Sequence, residues 1–188
     1  MSPSKIESET AEKEALLETA KLMLVAARTA PKTAGVDDIL TLIVCGDEKD
    51  RIAAEMEKIG EERGIEGFRR DAKNVRDSEA VVLIGVRGGY SIGLNCGACG
   101  CKSCSEFEAA EKRKGEDFVG PTCVFKALDL GIALGSAVKI ASILNVDNRI
   151  MYRVGTAALK LGMMPEATVA MGIPISAKGK SIYFDRRF

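Results

Sequence analysis

The chain contains no histidine and no tryptophan, and its 27 basic residues balance 27 acidic ones to a formal net charge of zero. Without imidazole, Ser-His-Asp and Cys-His catalysis are excluded, as are metal sites that use histidine. Without excess positive charge or a basic block there is no electrostatic footprint for a nucleic acid. Long uncharged apolar runs are also missing. The longest apolar stretch, Ala127 to Leu144, contains Asp129 and Lys139, whereas a membrane-spanning helix needs about 20 mostly uncharged residues. The first residues, MSPSKIESETAEKEALL, are charged and lack the apolar centre of a secretory signal. These absences give the expectation of a cytoplasmic protein with neither membrane nor nucleic acid as partner.

What is present is a chain of 188 residues, 46% hydrophobic, long enough to bury one sizeable core. The expectation is a single α/β domain over 1–188. Leu16, Leu17, Ala20, Leu24 and Ala27 recur at helical spacing, so Glu7 to Arg28 reads as a helix that ends before Pro31. Ile39 to Cys45 and Ala80 to Val86 are short, β-branched apolar runs of the kind that form buried strands, with Cys45 as a core residue. Lys49 to Arg63 reads as a helix stopped by Gly64, and 65–78 shows no clear pattern. Ser105 to Lys114 reads as a short helix, Pro121 to about Asn145 as a long one, and Arg149 to Leu161 as another. Ala167 to Ile173, ended by Pro174, reads as a third strand, and Ser181 to Phe184 as a short last one. Strands alternating with helices predict a three-layer α/β or α+β arrangement. On the long helix Gly131 and Gly135 stand four apart, a spacing that lets a second backbone approach closely.

Six cysteines occur, five of them between 96 and 123. Without a signal peptide, clustered thiols point to a metal or redox site rather than to structural disulfides. The segment NCGACGCKSC at 95–104 is followed, after a helix-sized gap, by Cys123. Its glycines let the loop curl and free backbone N–H groups for cluster sulfides. Two ligand sets fit an iron–sulfur cluster. One is Cys96, Cys99, Cys104 and Cys123; the other replaces Cys99 with Cys101. A structural four-cysteine zinc site is the alternative metal reading. The run from Gly85 to Gly89 lacks the ordered G-x-G-x-x-G of a dinucleotide site. The adjacent acids Asp37 and Asp38 read as surface charges.

The stretch CGACGCKSC resembles the four-iron module of corrinoid iron–sulfur proteins, which reads C-G-x-C-G-x-x-S/T-C, then a helix, then a final cysteine. That resemblance implies a [4Fe–4S] cluster on Cys96, Cys99, Cys104 and Cys123, with Cys101 as a possible alternative ligand, in a segment 94–123 inserted within the domain. The flanks resemble nitroreductase-like flavoproteins. AARTAPKTAG at 26–35 precedes a strand, a small-residue helix begins near Asp129-Leu-Gly131, and a strand ends in Gly172-Ile-Pro174. This implies an α+β three-layer sandwich with an inserted cysteine-rich cluster loop, assembled as a homodimer. The whole chain resembles a family of ferredoxin-domain proteins of archaea and anaerobic bacteria.

Together these resemblances imply a ferredoxin-like protein passing single electrons to a redox partner protein or flavin. The alternatives are a nitroreductase-like oxidoreductase using FMN, and a non-redox zinc protein. Of the residues able to hold an FMN phosphate, Arg28, Lys32, Arg186 and Arg187 are candidates, though solvated surface charge is the plainer reading of them.

Overall fold

The computed structural model describes residues 5–184. In chain order the elements are α1 (Ser8–Thr29), a 3-10 turn (Thr33–Gly35), β1 (Ile39–Cys45), α2 (Gly46–Arg63), α3 (Glu66–Arg76) and β2 (Ala80–Val86). They continue with α4 (Cys104–Ala109), β3 (Arg113–Lys114), β4 (Val119–Gly120), α5 (Val124–Ile143), β5 (Asp147–Asn148), α6 (Tyr152–Lys160) and β6 (Val169–Ser176). Strands pair in the order β1-β2-β6-β5, every neighbour antiparallel, with Leu42 opposite Leu83 and Leu83 opposite Gly172. β3 and β4 form a separate two-stranded ribbon.

Alternation along β2 and β6 sends side chains to both faces of the sheet, and both faces are covered. On one face Val82, Ile84, Val86, Ile173 and Ile175 pack with Leu16, Ala20 and Met23 of α1 and Leu130, Ala133 and Ala137 of α5. On the other, Val44, Val81 and Leu83 pack with Ile52, Met56 and Ile59 of α2, Phe68 and Val75 of α3, and Val154 and Ala158 of α6. β2, central in the sheet, is therefore buried along its whole length, which is why its sequence is a continuous apolar run. Each of the buried Val, Leu, Ile, Met and Phe side chains among these contributes roughly 1.5–3 kcal/mol of transfer free energy.

Several expectations need correcting. Cys45 is exposed, because it is the last residue of an edge strand. α3 forms where no pattern was read, because Phe68, Asp71, Ala72 and Val75 make a buried stripe diluted by charged neighbours. β6 runs through Pro174 to Ser176. No strand forms at 181–184. The helix expected over 105–114 stops at Ala109, and its remainder enters the β3–β4 ribbon. By contrast, Gly64 ends α2 in the left-handed conformation (φ 65°), as a C-terminal glycine does. α6 lies directly on β6: a Cβ on Gly155 would stand 1.8 Å from the Ala170 carbonyl oxygen.

Among the described residues no helix is long and apolar enough to cross a membrane.

Candidate functional site

Beyond Val86 the chain leaves the central strand, makes the cysteine loop, α4 and the small ribbon, and returns at α5. Gly88 ties both ends of this excursion. Its carbonyl accepts from the Cys123 N–H (2.9 Å), and its N–H donates to Thr168 Oγ1 (2.9 Å). A Cβ on Gly88 would come within 2.4 Å of Thr122 Cγ2, so only glycine fits this junction.

The loop is held by its own polar groups. Ser103 caps α4, its Oγ accepting from the Glu106 N–H (3.1 Å), while Glu106 Oε2 accepts from the Lys102 N–H (2.5 Å). This arrangement satisfies donors that a helix start leaves open. Asn95, at φ 49°, clasps Cys104 from both sides. Its Oδ1 accepts from the Cys104 N–H (2.8 Å) and its N–H donates to Cys104 Sγ (3.3 Å). The Asn95 N–H, aided by Ser91 and Gly93, holds the Cys104 thiol below its ordinary pKa. Burial pushes the Cys101 thiol up, helped by its hydrogen bond with Cys99.

Cys96, Cys99, Cys101, Cys104 and Cys123 line one cavity, with Ser91, Asn95, Phe107 and Val124. Cys123, at the start of α5, is buried; Cys96 is exposed and the other three are half-buried. The cavity measures about 10 Å³, space for about one water. Among the described residues, no group of three or more cysteine, aspartate or glutamate side chains stands where it could hold a metal ion. This corrects the iron–sulfur reading and its zinc alternative. The thiols line one cavity, but they do not converge as a ligand set, and Cys104 Sγ accepts from the Asn95 N–H.

A larger cleft of about 440 Å³ lies beside this cavity, lined by Arg87, Gly89, Tyr90, Glu108, Lys112, Glu166 and Thr168. The two share a wall. Ser91, which lines the cavity, donates from N (3.2 Å) and Oγ (2.6 Å) to Oε1 of Glu108, which lines the cleft. Tyr90 is 66% exposed. Arg87 Nε donates to Glu166 Oε2 (2.8 Å), and Lys112 Nζ sits 4.0 Å from the Phe107 ring centre while donating to the Phe107 carbonyl (2.6 Å). Two wider grooves, of about 830 and 710 Å³, touch no cysteine.

The expected phosphate-binding cations are engaged elsewhere. Arg28 Nη1 donates to Asp37 Oδ2 (2.5 Å) and to the Ile39 carbonyl (2.9 Å). Lys32 Nζ is buried against the carbonyls of Ala27 and Arg28. Arg186 and Arg187 lie outside the described residues. Asp37 and Asp38, expected as solvated charges, are paired, Asp37 with Arg28 and Asp38 with Lys126. Lys126 is 1% exposed, and burial lowers its pKa. Nothing local marks this pair, since its members lie far apart in the chain. Tyr90 and Lys112 were also not singled out; an aromatic following a glycine-rich turn was the available signal.

A model of the family described as "Uncharacterized protein containing a ferredoxin domain (DUF2148)" matches residues 119–186, a stretch that includes Cys123 alone of the clustered cysteines. A protein of Archaeoglobus fulgidus, described as "Uncharacterized protein", is 56% identical over 167 residues, 89% of each chain. Among solved structures, nitroreductase CinD of Lactococcus lactis in complex with nicotinic acid is similar over 98% of this chain and 85% of its own, with TM-score 0.59 and 13% identity. A protein of Desulfovibrio desulfuricans designated a nitroreductase, in complex with FMN, covers 98% and 83%, with TM-score 0.54 and 14% identity. The NADPH:FMN oxidoreductase of Vibrio harveyi covers 90% and 63%, with TM-score 0.51 and 9% identity. These likenesses establish an α+β fold of the nitroreductase and FMN-oxidoreductase type.

Proposed function

The chain belongs to the DUF2148 family of proteins containing a ferredoxin domain, and from that membership and its nitroreductase-like fold we propose that it is a flavin-dependent oxidoreductase holding FMN in the cleft at the end of β2. The observation that carries this reading is the composition of that cleft. An exposed aromatic, Tyr90, stands with Lys112, the paired Arg87 and Glu166, Glu108 and a hydroxyl, Thr168, around a space of about 440 Å³. Such volumes are typical of cofactor sites. A planar heteroaromatic ring would stack on Tyr90, and a phosphate would pair with Lys112, since Arg87 is already bonded to Glu166. Thr168 Oγ1 already bonds the Gly88 N–H and the Val86 carbonyl, so its position is fixed by the strand end. Bound there, FMN would supply hydride chemistry between a nicotinamide and an acceptor. The chain's own residues bind, orient and shield the ring.

The proposed assembly is a homodimer. Leu128, Ile132 and Ile143 on α5, and Leu22 and Val25 on α1, are exposed large apolar side chains. On α5 they recur at helical spacing along one face. Gly131 and Gly135 on the same helix have open space where a Cβ would stand, room for a second helix to approach. A second copy of this surface is its own complement. Ile132→Glu is expected to yield monomer by light scattering where the unmodified chain yields dimer; a monomeric unmodified chain would refute this assembly.

Loading the full chain with FMN and comparing it with Tyr90→Ala and Lys112→Ala tests the cleft. Each variant is expected to weaken FMN binding by about tenfold or more, the loss of roughly 1.4 kcal/mol. Unchanged affinity in both would place the flavin elsewhere.

A further inference from the structure

At the end of β2 opposite the cleft, three oxygen atoms are buried without partners. Asp147 Oδ2, Ser176 Oγ and Asn74 Oδ1 are shielded from solvent, with no hydrogen-bond partner among the described residues. Ser176 is 0% exposed and Asn74 7%. Asp147 of β5 stands opposite Ser176 of β6 in register, so their side chains share a face, about 5 Å apart at Cβ. Ile175, the residue before Ser176, packs with α1 and α5. Ser176 and Asp147 therefore face the other side of the sheet, where Tyr183 packs. The Glu79 N–H donates to the Ile175 carbonyl (3.1 Å), which sets Ser78, just before it in the chain, beside this strand end. Ser78 Oγ donates to the Asn74 carbonyl (2.6 Å) and lies 2.9 Å from the Tyr183 hydroxyl. Asn74 Nδ2 donates to the Ile182 carbonyl (2.6 Å). Ser78 has one hydrogen and gives it to Asn74, so the Tyr183 hydroxyl donates to Ser78 and keeps its own lone pairs as acceptors.

We propose that these oxygens hold a monovalent metal cation, sodium or potassium, where α3, β5, β6 and the segment 177–184 meet. Every group offered is an oxygen: the Asp147 carboxylate, the Asn74 amide, the Ser176 hydroxyl and the Tyr183 phenol. Hard cations take such ligands, and softer metals find neither thiolate nor imidazole here. Orphaned buried oxygens are unfavourable and call for a bound water or ion. A water satisfies a hydroxyl or an amide, but it leaves the Asp147 charge uncompensated in a buried setting. One carboxylate among neutral oxygens matches a single positive charge, whereas the charge count of a divalent site is usually higher. The bound cation fastens Tyr183, and with it the segment after β6, to the end of the sheet. The site lies away from the cleft and does not depend on flavin binding.

The test uses the full chain, dialysed into choline chloride to remove alkali metal. Thermal unfolding is then followed in choline, sodium, potassium, magnesium and calcium chloride at equal ionic strength. The midpoint is expected to rise in sodium or potassium chloride relative to choline, by about 3–6 °C at ten times the dissociation constant. The salt that acts at the lower concentration identifies the cation. Asp147→Asn keeps the shape and removes the charge. It should abolish the sodium or potassium response and, with no buried charge left, be no less stable than the unmodified chain in choline. Ser176→Ala should weaken the response and leave the far-UV circular dichroism unchanged. Equal midpoints in choline, sodium and potassium chloride, the result for a buried water, would overturn the proposal. So would a response as large in either variant as in the unmodified chain, or one confined to magnesium or calcium.

Discussion

Thr33 and Asp129 are joined twice: the Thr33 N–H and the Thr33 Oγ1 both donate to Asp129 Oδ1, each over 2.9 Å. The bond pair spans 96 residues of chain and fastens the turn after α1 to the first turns of α5. Lys126, one turn back on α5, is ion-paired with Asp38 and also lies in the field of Asp129. Asp129→Ala removes the shared acceptor, leaves the Thr33 N–H without its partner and takes one anion from beside a buried ammonium. The expected loss is about 3 kcal/mol of unfolding free energy. Thr33→Val, which keeps the N–H bond, is expected to cost about 1 kcal/mol. Denaturant titration of both variants checks the order; equal effects would mean that the backbone bond contributes nothing.

Gly155 and Gly131 should respond oppositely to the same change. Gly155→Ala drives a methyl into the Ala170 carbonyl, and α6 must lift from β6 to admit it. A loss of about 3 kcal/mol or more is expected from such overpacking. Gly131 has open space at its Cβ position, so Gly131→Ala should gain up to about 1 kcal/mol of helix propensity within the subunit. Measured at low protein concentration, thermal unfolding should move the two variants in opposite directions.

Stability should fall at alkaline pH through Tyr183. Burial pushes its phenol up to about 12, and its hydroxyl lies 2.9 Å from Ser78 Oγ. The folded chain therefore keeps this proton after the unfolded chain has lost it. Between about pH 10 and about pH 12 the folded state binds more protons, and stability declines as pH rises. Below about pH 10 the contribution is fully present. Tyr183→Phe should lose roughly 1 kcal/mol at neutral pH with the Ser78 contact and show a shallower alkaline decline. An identical decline in both proteins would assign it to other groups.

The sequence carried the scaffold well where a pattern was local and undiluted. β1 and β2 have the expected bounds: β2, buried on both faces, writes itself as a continuous apolar run, and β1 is a short β-branched apolar run at the sheet edge. α5 was legible from its small residues, and the resemblance of AARTAPKTAG and Gly172-Ile-Pro174 to nitroreductases anticipated the fold. α3 was not legible, because charges interrupt its apolar stripe. The cysteine spacing conveyed proximity, since the five thiols do line one cavity, but it did not convey direction. Spacing cannot show that Asn95 claims Cys104. Nor could it place Tyr90 beside Lys112, which depends on the path of the chain from β2 through α4.

The most direct test of the flavin site is to purify the full chain without oxygen, record its visible spectrum, denature it and identify any cofactor released, then titrate the flavin-free chain with FMN. One FMN bound per chain is expected, with quenched flavin fluorescence from stacking on Tyr90 and bleaching of the flavin absorbance when a reduced nicotinamide is added. A chain that releases no FMN and does not bind it when titrated would contradict the account.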